Sequence, residues 1–119
     1  MKKTILIVLA ALLVTANCFA QKLSAETKAL QGTWILIGIM NGEESFTEQM
    51  IKEEKLLVSY TFSGNTITVN NNGTIIGPFQ FEPSAGFLLL ETGNRMAYNL
   101  QGKILILYEG GYAFIYRKK

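Results

Sequence analysis

The chain has no histidine and no aspartate, and its one cysteine is Cys18. Those gaps exclude most site chemistry before any motif is sought. Without histidine there is no Ser-His-Asp or Cys-His nucleophile system, and zinc loses its usual ligands. General acid–base work is left to glutamates. Glu43, Glu44, Glu48, Glu53 and Glu54 crowd into one polar stretch and read as solvated surface. Glu91 is the exception, because strand register turns it towards Met96 on an inner face; a carboxylate at a strand end still reads as a rim group in water. No glycine-rich phosphate loop is present, since the glycines stand where turns need them. No catalytic residue, metal site or cofactor is assigned, and the expectation is a protein that is not an enzyme.

Net charge and long apolar runs are equally scarce. Lys2 and Lys3 account for the whole formal charge of +2, so the rest of the chain carries nine bases against nine acids. That balance argues against nucleic acid or an anionic membrane as partner. The apolar run at residues 5–14 follows Met1-Lys2-Lys3 and falls short of the roughly 20 residues that a spanning helix needs. With Cys18-Phe19-Ala20-Gln21 after it, this run reads as a secretory signal peptide over residues 1–20, cut after Ala20. Residues 21–119 are then a single secreted or periplasmic domain with no cysteine left for a disulfide. In the alternative, Cys18 is lipidated as the first residue of a lipoprotein, although Asn17 before it fits poorly the small residue such sites use.

What the chain does have is a series of short runs rich in β-branched and aromatic residues, separated by turn residues. Ser24 is placed to cap a short helix through Ala29, and strand 1 follows, ending at Asn41-Gly42. Ser45-Phe46-Thr47-Glu48 has the form of a capping box. It predicts a short amphipathic helix over residues 45–55, between strands 1 and 2. Phe46 and Met50, at i and i+4 on one face, act as a plug or lid over one barrel end.

Beyond residue 55 the hairpins can be placed by register, because facing residues project to the same side of a sheet. A Gly64-Asn65 turn pairs Phe62 with Ile67 and Tyr60 with Val69. A three-residue Asn71-Asn72-Gly73 loop pairs Val69 with Ile75 and turns Phe79 and Phe81 inward, which buries more apolar area than a two-residue turn. A Gly93-Asn94 turn pairs Leu89 with Tyr98 and Phe87 with Leu100. Gln101-Gly102 pairs Tyr98 with Leu105, and Gly110-Gly111 pairs Leu107 with Phe114 and Leu105 with Tyr116. The sum is eight antiparallel strands, near residues 32–41, 55–63, 66–70, 74–82, 87–92, 95–100, 103–109 and 112–118. They form an all-β, up-and-down barrel.

The opening Leu30-Gln31-Gly32-Thr33-Trp34, with the only tryptophan two residues after a glycine in strand 1, resembles small bacterial lipocalin-like domains. The resemblance implies a ligand-binding barrel in which an arginine of the last strand, here Arg117, packs across Trp34 at the closed end. The middle signature of larger lipocalins is not evident, and the strands are short.

Two functions follow from these readings. The first is a secreted binder of a small apolar molecule, contacted by Tyr60, Phe62, Phe79, Phe81, Tyr98, Phe114 and Tyr116. The second is a packed barrel that works through its surface as a structural or interaction module. The same registers place Leu90, Ala97, Ile106 and Ile115 in one outer row, with Leu88 and Ile104 beside it. Such a row suits a homodimer through strands 5 to 8, unless the lead-in helix with Leu23 and Leu30 covers it.

Overall fold

The computed structural model describes residues 24–119, so the expected leader, Cys18 and Leu23 lie outside the described residues. Helix α1 (Ala25–Leu30) comes first, capped by Ser24, whose hydroxyl accepts from the Thr27 N–H. Eight strands follow: β1 (Gly32–Met40), β2 (Val58–Ser63), β3 (Thr66–Asn71), β4 (Thr74–Ser84), β5 (Phe87–Leu90), β6 (Arg95–Gln101), β7 (Ile104–Glu109) and β8 (Tyr112–Lys118). Consecutive strands pair antiparallel and β8 pairs with β1, which closes the barrel. Between β1 and β2 lie a two-residue strand, Ser45–Phe46, on the far end of β1 and helix α2 (Glu48–Glu53).

The barrel end where β1 begins and β8 finishes is sealed. Trp34 is wholly buried and donates its indole N–H to the Leu30 carbonyl at 2.8 Å, which holds α1 against it. The Gln31 side chain bonds both backbone groups of Gly64, at 2.7 and 2.8 Å, and so fastens the lead-in to the β2–β3 turn. Phe62, Ile67, Phe81, Leu88 and Leu105 are buried in the core with Trp34. Each such side chain contributes about 1.5–3 kcal/mol by leaving water.

Lys118, not Arg117, meets the tryptophan. Lys118 stands directly opposite Trp34 with its ammonium 5.7 Å from the indole ring. Arg117 is one residue out of phase, opposite Ile35, and therefore projects from the outer face. Its guanidinium there grips both carboxylate oxygens of Glu48, at 2.9 and 3.2 Å, and pins α2 to the last strand.

Helix α2 is shorter than the sequence pattern suggests. Thr47, not Ser45, is its N-cap, accepting from the Met50 N–H at 3.3 Å. Phe46 is consequently outside the helix, in the two-residue strand opposite Ile39, and Met50 is 39% exposed. The residue that α2 buries is Ile51. Phe46 packs against the core beside Ile39, so the two do not share one face of a helix as expected.

Three turns also differ from expectation. The β3–β4 turn is the two-residue Asn72-Gly73, with Val69 opposite Ile76, so Ile75 points outward and is 60% exposed. The phase is restored further on by a bulge at Gly77-Pro78, opposite Thr68, after which Phe79 faces Ile67 and Phe81 is buried. The β5–β6 loop runs over residues 91–93, one residue longer than expected, and places Leu88 opposite Met96. A one-residue change reverses the faces of a strand, so Leu88 and Leu90 point inward and Phe87 and Leu89 outward. The β6–β7 turn is Gly102-Lys103, which pairs Tyr98 with Leu107 and shifts the register by two without reversing faces. The Gly64-Asn65 and Gly110-Gly111 hairpins form as expected.

Gly77 adopts φ +104°, and a Cβ there would lie 2.9 Å from the Ile67 carbonyl oxygen. Gly102 has φ +61° with open space around it. Gly102→Ala should cost about 1–2 kcal/mol from backbone conformation alone. Gly77→Ala should cost about 3 kcal/mol or more, because backbone must also move. Urea unfolding of both variants checks the order, and equal losses would remove the bulge from its role.

Candidate functional site

The opposite barrel end holds a cavity of about 350 Å³, partly open to solvent. Its inner wall is made by Tyr60, Ile67, Val69, Phe79, Leu90 and Met96, all on the inward phase of β2 to β6. The rim is made by Asn94, Arg95, Tyr108, Glu109 and Gly110, from the β5–β6 loop and the β7–β8 turn. The cavity exists because the core narrows to packed side chains only towards the sealed end, where α1 and Trp34 stand. An eight-stranded barrel has just enough interior for side chains or one small ligand.

Of the expected contact residues, Tyr60 and Phe79 line this cavity. Phe62 and Phe81 lie in the buried core, edge to face with centroids 5.3 Å apart. Tyr116 is buried behind Tyr60, ring centroids 5.1 Å apart. Phe114 packs on the core, 6.1 Å from the Tyr112 ring, and Tyr98 borders a shallow groove beside α1 with Ala25, Glu26 and Ala29. These five are therefore not among the residues lining the cavity.

Met96, Leu90 and Glu109 are the main residues that the sequence reading missed. Glu109 was within reach of it: the Gly110-Gly111 turn already fixes Leu105 and Leu107 inward, and Glu109 is the next residue in that phase. Glu91, expected to face inward, instead lies exposed in the β5–β6 loop and accepts the Gln80 backbone N–H.

The electrostatics of the inner wall follow from burial. The Tyr116 phenol is pushed far above the ordinary tyrosine value of 10.0, chiefly by burial, with Tyr60 and Glu109 adding to it. Burial also raises Tyr60, and the Glu109 charge contributes again. Both tyrosines thus stay neutral hydroxyls at neutral pH.

The outer face has other members than expected. With Leu88 and Leu90 turned into the barrel, Phe87 and Leu89 take the outward positions of β5, and Ala97, Ile104, Ile106 and Ile115 remain on that face, all half-buried. Asn99 and Arg117 stand directly beside Ile106 and Ile104 in the facing positions, so the unbroken apolar row does not form. Leu30 does not cover this face, because it is buried against Trp34 at the sealed end.

Among the described residues no helix is long and apolar enough to cross a membrane, and no cluster of acidic, cysteine or histidine side chains is placed to hold a metal. Comparison with family models, with curated proteins and with solved structures finds no match to this chain.

Because folding raises both phenols, their contribution to stability is complete below the unfolded value of 10.0 and is lost as pH rises through the folded one. The domain should lose stability steeply above about pH 10. Tyr116→Phe should flatten that decline, as followed by alkaline unfolding and tyrosinate absorbance. An unchanged decline would show that these hydroxyls do not report on folding.

Proposed function

We propose that this protein is a lipocalin-like barrel that takes a small, largely apolar molecule into the cavity opposite Trp34. The observation that carries the reading is the asymmetry of the barrel: one end is plugged by Trp34, Leu30 and α1, and the other retains about 350 Å³ behind a polar rim. A volume of that size falls within the range of small-molecule sites, apolar inside with a few polar groups at the mouth. The Gly32-Thr33-Trp34 opening supports the same assignment. The leader-like residues 1–20 support export, so the ligand is met outside the cytoplasm. Binding rather than catalysis is the reading, because the cavity offers tyrosine hydroxyls and one glutamate but no nucleophile–base pair.

A neutral fluorescent probe, N-phenylnaphthylamine, should bind the folded protein with an emission increase. Val69→Phe fills part of the cavity and should weaken that binding at least about tenfold while thermal unfolding changes little. Equal binding to both proteins, or none to the folded wild type, would favour a packed barrel that works through its surface.

A further inference from the structure

The rim of the cavity carries an acidic group that no ion pair among the described residues engages. Glu109 ends β7 in the inward phase set by Leu105 and Leu107, and it lines the cavity. The described residues form two ion pairs, both on Glu48 at the sealed end, and Glu109 takes part in neither. The basic residue of the rim, Arg95, lies opposite Leu89 on the outward phase, and its guanidinium centre sits 4.6 Å from the Phe87 ring. Its guanidinium is therefore engaged by Phe87 on the outward phase and not by Glu109. Glu109 influences the interior, because its charge helps to hold the Tyr60 and Tyr116 phenols up.

The same lining carries three aromatic rings, Tyr60 and Phe79 on the inward phase and Tyr108 at the rim. Ring faces attract cations, the more so as the site is desolvated. A carboxylate adds charge attraction that strengthens as water is displaced. Gly110 and Gly111 follow Glu109 with open space where a side chain would be, which leaves the approach to it unobstructed. Aromatic walls with a lone acid at the mouth suit a positively charged head on an apolar body.

We infer that the cavity is selective for small organic cations, with the apolar body between Tyr60, Phe79 and Met96 and the ammonium group at Glu109. The inference rests on the cavity reading above and narrows its ligand class. An anionic amphiphile such as a fatty acid would place like charge against Glu109 and is disfavoured.

Calorimetric titration of the purified protein with three ligands of one shape tests this: naphthylmethyltrimethylammonium, naphthylmethanol and naphthylacetate. The cation should bind at least about tenfold tighter than the alcohol, and the carboxylate weakest. Glu109→Gln should bring the cation level with the alcohol. Raised salt should narrow the gap in the wild type. If alcohol and cation bind equally, or the carboxylate binds best, the cation selectivity is wrong while the cavity reading stands. If none of the three binds folded protein, both fail. Glu109 is exposed, so its substitution should leave unfolding transitions in place, and circular dichroism of the variant checks this.

Discussion

At the sealed barrel end the indole N–H of Trp34 is out of reach of water, and the Leu30 carbonyl is its partner. Leaving such a buried donor unpaired costs about 1–3 kcal/mol, so α1 is held where its last residue can supply that carbonyl. Everything else at this end follows from the placement. Leu30 becomes fully buried, Gln31 reaches the β2–β3 turn, and Lys118 lies across the indole from the last strand. First strand, last strand and lead-in are fixed by one side chain, and any cavity is confined to the other end.

The seam between β1 and β8 is secured on both faces by consecutive residues. Lys118 covers Trp34 on the inside, and Arg117 holds Glu48 of α2 on the outside. The outer pair is exposed and screened, and pairs of that kind contribute little to stability. Its consequence is positional: α2 stays against β1 with Ile51 buried, and no residue of the connection between β1 and β2 is among those lining the cavity. The mouth is therefore framed by the β5–β6 loop and the β7–β8 turn, the two connections that bring Arg95 and Glu109 to the rim.

Phase decides which chemistry reaches the interior. Phe87-Leu88-Leu89-Leu90 is apolar on both faces, so alternation alone cannot say which pair is inside. The length of the loop over residues 91–93 settles it, placing Leu90 in the cavity wall and Leu88 in the core. In β4 the two-residue turn and the Gly77-Pro78 bulge act in succession, the second undoing the phase change of the first. Phe79 and Phe81 therefore end inward, as the apolar pattern demanded, although by a route other than the turn.

The sequence by itself determined the strand count, the up-and-down order, the inward pattern of β2, β3, β7 and β8, and the burial of Trp34. These are local matters, set by alternation and by the Gly64-Asn65 and Gly110-Gly111 turns, which form in the expected register. It also showed which residue types a site could contain. Only the tertiary structure decided which aromatic side chains pack and which line a cavity, since Phe62 and Phe79 follow the same inward rule and differ only in distance from the sealed end. It alone placed Arg117 against Glu48, a pair 69 residues apart in the chain. Strand phase is written in neighbouring residues, whereas the depth of a side chain along a closed barrel depends on the shear and closure of all eight strands together.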